Sequence, residues 1–314
     1  MTENGAKSKE NKNLDEYLKA KISESGYPLE IEISGLLDSE YFVRNTFYYF
    51  DKEAESGRSI DIYASPKFTD LKGFEKIIPF CNLVIECKKS SSHAWIFFTR
   101  PYGSDSKSED ISGQIKSSIP KVKPFEIVTT DSWIQFALYS DLHYASFDRI
   151  AIAYDEIKIK KKDDGNADSK KGRNEILEAI MQLQKFICFQ EHRSLKNWSV
   201  KNLKSLPDES YYDALMIFMP IIVFDGNLFE ATFNSGHIDL HEKKHILVKT
   251  NFLCPYCKRI ETFTIDVVHR SYFDAFVQIL KNDFNGSLKT LQNNQEFIAE
   301  GSKNVRAALK KLKP

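Results

Sequence analysis

The chain has 314 residues, with 44 basic and 44 acidic side chains, a formal net charge of zero, 42% hydrophobic and 28% charged residues. Those proportions describe a soluble globular protein and exclude a disordered or fibrous chain. Balanced charge excludes a global basic field, so any contact with a polyanion must come from local patches. Five cysteines are too few and too unevenly spaced for a disulfide framework. The polar start MTENGAKSKENKNLDEY lacks the apolar core of a signal peptide. No window approaches the roughly 18 apolar residues of a membrane span. A reducing, cytoplasmic setting without membrane contact is the expectation.

In chain order, residues 1–13 read as a disordered polar tail. Leu14, Leu18 and Ile22 recur at helical spacing, and Gly26 and Pro28 read as the stop, which predicts a helix over 14–25. EYFVRNTFYYFD (40–51) is aromatic and β-branched and reads as a strand; KEAESGR turns the chain into a second strand, SIDIYA (59–64). Pro66, Gly73 and Pro79 punctuate a loop. CNLVIECKK and HAWIFFT then form a third long strand or a strand pair. After Pro101 an apolar stretch at 132–145 reads as a helix and 147–157 as a strand, while 158–174 is a charge run expected to be a surface loop. Residues 174–192 carry Ile176, Ile180, Leu183 and Ile187 along one stripe, with Asn174 as a cap. ALMIFMPIIVFDGNLFEATF (214–233) reads as strand, turn at Asp225-Gly226-Asn227, and returning strand. Two further strands and a helical tail from Ser271 complete the chain.

The chemistry lies in two carboxylates flanked by apolar residues inside strands. Burying Asp61 or Glu86 costs several kcal/mol unless each is paired or bound to a cation. Alternation puts Glu86 and Lys88 on one strand face and Cys87 on the other. If the two strands are neighbours, Asp61, Glu86 and Lys88 converge. Two carboxylates and the Cys87 carbonyl form an oxygen-rich half-shell suited to Mg²⁺ or Mn²⁺, which lowers the pKa of a bound water. A lysine beside it orients that water and stabilises charge at a phosphate.

Asp in one strand followed by Glu-X-Lys in the next, here SIDIYA and LVIECKKS, resembles the PD-(D/E)XK nuclease superfamily. The resemblance covers residues 14–98 best, and the helix at 174–192 with the strand near 217–224 would complete that family's αβββαβ core. It implies an α/β, restriction-endonuclease-like domain over 14–270 with a central mixed sheet. An insertion at about 101–172 and a helical C-terminal extension (271–314) would enlarge it. It also implies metal-dependent cleavage of nucleic acid, DNA favoured, with Asp61, Glu86 and the Cys87 carbonyl as ligands and Lys88 as the catalytic lysine. Such families serve restriction, repair and defence. The sequence departs from the pattern in two ways. Twenty-four residues separate Asp61 from Glu86, and Ile60 stands where the naming proline would be. Several members carry a glutamate on the first helix, for which Glu16 is favoured over Glu24. Gln182 and Gln184, on the helix after the motif, are candidates for touching the metal water or the backbone.

Two other readings stay open. A catalytically inactive member of the same fold would act as a nucleic-acid- or protein-binding module. His241 and His245, before Cys254-Pro255-Tyr256-Cys257, make a Cys₂His₂ zinc site conceivable, against the alternative of ordinary histidines and free thiols. With no net positive charge, a partner protein or a homodimer is a candidate source of backbone contacts.

Overall fold

Gly26 and Pro28 do not close the first helical region; they divide two helices. The computed structural model describes residues 14–23, 25–67, 72–75, 77–102, 111, 113–117, 137–159, 174–197, 213–256 and 258–311. Residues 14–23 form helix α1. Gly26 then caps helix α2 (Tyr27–Leu37), with Pro28 in its first turn, where a missing N–H costs nothing. Leu29, Ile33 and Leu37 supply its buried stripe.

Among the described residues nine strands follow: β1 (Tyr41–Asp51), β2 (Ser56–Pro66), β3 (Ile77–Pro101), β4 (Ile115–Ser117), β5 (Arg149–Lys158), β6 (Asp213–Asn234), β7 (His237–Glu242), β8 (His245–Leu253) and β9 (Ile260–His269). Helix α3 (Glu175–Asn197) lies between β5 and β6, and α4 (Phe273–Lys311) ends the described chain. β1, β2 and β3 form an antiparallel meander. α3 then carries the chain to β6, which runs parallel to β3. Pairings continue from β3 to β5, from β5 to β8 at Ala151↔Val248, from β8 to β9 and from β9 to β6. Since β6 also pairs with β3, the pairings of β3, β5, β8, β9 and β6 close into a ring, while β1, β4 and β7 each pair with one strand among the described residues.

The apolar residues fall into two clusters, one on each side of the sheet. One joins α2 (Leu29, Ile33, Leu37) and α4 (Phe273, Phe276, Leu280, Phe284) to Leu83, Ile85 and Cys87 of β3. The other joins α3 (Ile176, Ile180, Leu183, Ile187) to Val84, Trp95 and Phe218. The result is a mixed sheet between helical layers, with α4 packed into the core.

The two apolar segments around ECKK are one 25-residue strand, the first of the two alternatives. Two other elements depart from the sequence reading. β6 is likewise continuous over 22 residues, with no turn at Asp225-Gly226-Asn227. There the β3–β6 register shifts between Lys89 and Ala94. A Cβ on Gly226 would stand 2.5 Å from the Ser90 carbonyl oxygen, so this glycine permits a close strand approach instead of a reversal. In the predicted helix at 132–145, residues 137–139 are helical and His143–Ser146 form a 3₁₀ turn, while 132–136 lie outside the described residues. The expected tail at 1–13 and most of the charge run (160–173) also lie outside them.

Candidate active site

Asp61 and Glu86 belong to adjacent antiparallel strands. Their register pairs Ile62 with Ile85, Tyr63 with Val84 and Ala64 with Leu83. One step beyond, where Asp61 would oppose Glu86, the backbone ladder ends. The Cys87 N–H donates instead to Asp61 Oδ2, at 2.8 Å. Since a strand residue's N–H and C=O point to the same side, the Cys87 carbonyl faces the same opening. Its thiol is buried in the α2–α4 cluster and pushed well above its ordinary pKa by burial. The backbone of Cys87, and not its sulfur, belongs to the site.

The opening coincides with a change of face in β1 and β2. Tyr41 and Val43 of β1 pack in the α2–α4 layer, whereas Phe47 and Tyr49 pack with α3. Between them Thr46 takes a left-handed φ of 52°, a conformation that costs a β-branched residue energy and marks a local distortion of the strand. In β2, Ile62 and Ala64 join the first layer and Ile60 the second, so the switch there falls at Asp61.

Glu86 is fully buried. Its Oε2 accepts from Lys88 Nζ at 2.7 Å, while its Oε1 has no hydrogen-bond partner among the described residues. Burial and the Asp61 charge push its carboxyl up to about 8, against the pull of Lys88 and the Asp61 amide. Burial also raises Asp61, opposed by Lys88 and the Cys87 N–H. For Lys88, burial disfavours the charged form, but Glu86 and Asp61 outweigh it and the ammonium is held above its ordinary range. A buried carboxylate with one oxygen unsatisfied is costly by itself. It becomes tolerable where a cation completes its environment.

Glu16 does not join this group. It is exposed on α1, and Glu24 lies outside the described residues. The α2 carboxylate that feels this group is Glu30: burial and the Asp61 charge raise its pKa, and Lys88 lowers it. A sequence signal for it existed, the Leu29–Ile33–Leu37 stripe behind a first-turn proline. Gln182 Nε2 donates to the Ser59 carbonyl at 3.2 Å, tying α3 to β2 two residues before Asp61. Gln184 is buried, with its amide nitrogen unpartnered among the described residues. At the rim, Lys89 donates to the Ser23 carbonyl at 2.8 Å and stands 3.5 Å from Asp225. Arg270 bridges Asp225 and Glu32.

The sequence-suggested zinc set is not assembled. His241 is exposed on β7 and Cys254 is buried in the α3 cluster. His245 packs edge-on to Phe276, in the layer on the other side of the sheet. Residues on opposite faces cannot share an ion. Cys257 lies outside the described residues.

Comparison of the chain with family models, with curated proteins and with solved structures found no match.

Proposed function

We propose that the chain is a metal-dependent nuclease, with DNA as the favoured substrate, on a restriction-endonuclease-like core made of α2, β1, β2, β3, α3 and β6. The observation that carries this reading is the gathering of Asp61, Glu86 and Lys88 where β2 and β3 part, with Glu86 Oε1 buried and unpartnered among the described residues. Helix, three-strand meander, helix and a strand parallel to the third is the order expected for that core.

The donors fit a hard cation. Asp61, Glu86 and the Cys87 carbonyl offer oxygen only, which suits Mg²⁺ or Mn²⁺. Such an ion, when bound, supplies an activated water and polarises the scissile phosphate. The remaining work belongs to the chain. The Cys87 N–H fixes the Asp61 carboxylate. Lys88 stays charged and stands ready to stabilise negative charge developing on a phosphate oxygen. Glu30 adds a third carboxylate able to orient a water.

The test is cleavage of plasmid, single- and double-stranded oligonucleotides and RNA with Mg²⁺ or Mn²⁺, comparing wild type with Glu86→Ala and Lys88→Ala. Cleavage by wild type, lost in both variants, supports the proposal. Inert wild type on every substrate and metal sinks it and leaves a binding module of the same fold.

A further inference from the structure

We propose a second metal centre, unrelated to the nuclease site in its residues: His143, His245 and Asp266 bind one zinc ion, with Asp283 and Tyr144 holding the ligands in place. The three ligands come from separate parts of the chain. His143 opens the 3₁₀ turn His143–Ser146, His245 begins β8 and Asp266 lies on β9. The β8–β9 register pairs His245 with Val268 and Leu247 with Asp266, so His245 and Asp266 are diagonal neighbours on one sheet face.

The donor atoms converge. His143 Nε2 and His245 Nε2 each stand 2.8 Å from the same oxygen, Asp266 Oδ1. All three ligand atoms lie within 4.8 Å of one another. Zinc takes such nitrogen and carboxylate donors at about 2.0–2.2 Å, which places tetrahedral ligands about 3.3 Å apart. On the two nitrogen–oxygen edges, a lengthening of about half an ångström therefore reaches the spacing of zinc ligands.

The surrounding hydrogen bonds are those a metal ligand set needs. A ligating histidine characteristically gives its other ring nitrogen to a carboxylate, and a ligating carboxylate is itself hydrogen-bonded. Here Asp283 Oδ2 is bonded to His143 Nδ1, and Asp283 Oδ1 accepts from the His143 backbone N–H at 3.1 Å. Tyr144 donates to Asp266 Oδ2 at 3.0 Å, leaving Oδ1 to face the histidines. Gln114 donates to the Tyr144 hydroxyl at 3.1 Å and accepts from the Thr264 N–H at 3.0 Å, anchoring that arm.

The charges are compatible with the same assignment. A divalent ion neutralises the two buried carboxylates while both imidazoles stay neutral. The rings of Phe147 and Phe276, with centroids 4.9 and 4.8 Å from that of His245, wall the centre with apolar surface. Zinc here would fasten the His143–Ser146 turn to the sheet, with α4 contributing Asp283.

The test uses the full chain purified without added metal. Elemental analysis is expected to find about one zinc per chain, removable by 1,10-phenanthroline with a fall in melting temperature that ZnCl₂ reverses. Cobalt substituted for zinc should show visible d–d absorption of tetrahedral type, which needs no variant to fold. His245→Asn and Asp266→Asn should lose the metal, and Asp283→Asn should bind zinc about 10–100-fold more weakly. The double variant Asp61→Asn/Glu86→Gln, as well as Cys254→Ser, should keep it, separating this centre from the nuclease site and from the cysteines. A chain that holds no zinc, and shows neither a thermal shift nor a cobalt spectrum when supplied with either ion, overturns the assignment. So does full zinc content in His143→Asn/His245→Asn.

Discussion

Replacing Glu86 with glutamine keeps the shape of the protonated carboxyl and removes only its ability to ionise. The folded protein holds this carboxyl at about 8 against an ordinary 4.5, chiefly because burial penalises the anion. Because the folded state binds the proton more tightly than the unfolded chain, the associated stability is complete below about pH 4.5 and fades as pH rises through about 8. A tenfold change in proton affinity is worth about 1.4 kcal/mol, so wild type at pH 9 should be less stable than Glu86→Gln by up to about 5 kcal/mol. Near pH 5 the gap should shrink to about 1 kcal/mol. At about 2 °C per kcal/mol for a chain of this size, the alkaline difference is roughly 10 °C in melting temperature. Thermal or urea unfolding of both proteins at pH 5, 7 and 9 measures it. Added Mg²⁺ should narrow the alkaline gap by stabilising wild type alone. A gap that does not widen with pH, or a wild type more stable than the variant at pH 9, would refute the reasoning. It would mean that Lys88 already compensates the Glu86 charge in full.

Other consequences follow from the same packing. Lys116 is fully buried between Glu191, at 3.1 Å, and Glu261. Lys116→Met should therefore cost about 3–5 kcal/mol in urea unfolding by removing the buried cation between these carboxylates, which leaves the partly exposed Arg259 beside both, and adding Glu191→Gln and Glu261→Gln should recover most of it. Gly226→Ala forces a Cβ to 2.5 Å from the Ser90 carbonyl oxygen and should lower stability by about 1–3 kcal/mol. Glu30→Gln should reduce metal-dependent cleavage at least about tenfold, whereas Glu16→Gln, on an exposed helix surface, should leave the rate unchanged.

How legible each feature was depended on how local its signal is. Asp61 and Glu86-X-Lys88 stood out because a charge inside an apolar strand is visible in a window of six residues. Their adjacency followed from the β2–β3 meander, one of the shortest-range pairings in the sheet. Glu30 is hidden because Gly26 and Pro28 carry the signal of a helix end, when the same residues cap and open the next helix. Asp225-Gly226-Asn227 carries a strong hairpin signal, yet β3 lies alongside β6 through that point, and the glycine serves strand approach. The His143–Asp266–Asp283 cluster leaves no local trace. His143 meets Asp266 across 123 positions and Asp283 across 140, and no spacing rule reaches that far. His245 lies close to Cys254 in sequence but not in space, since sheet alternation sends its ring away from Cys254.

The claim that Asp61, Glu86 and Lys88 form a working centre is tested most directly by the rate of plasmid cleavage as Mn²⁺ is titrated into wild type and into Asp61→Asn. A rate that rises to saturation in wild type, vanishes with EDTA and is absent in Asp61→Asn is the predicted result. Cleavage that persists undiminished in Asp61→Asn, or a wild type that cuts nothing at any Mn²⁺ concentration, would contradict it.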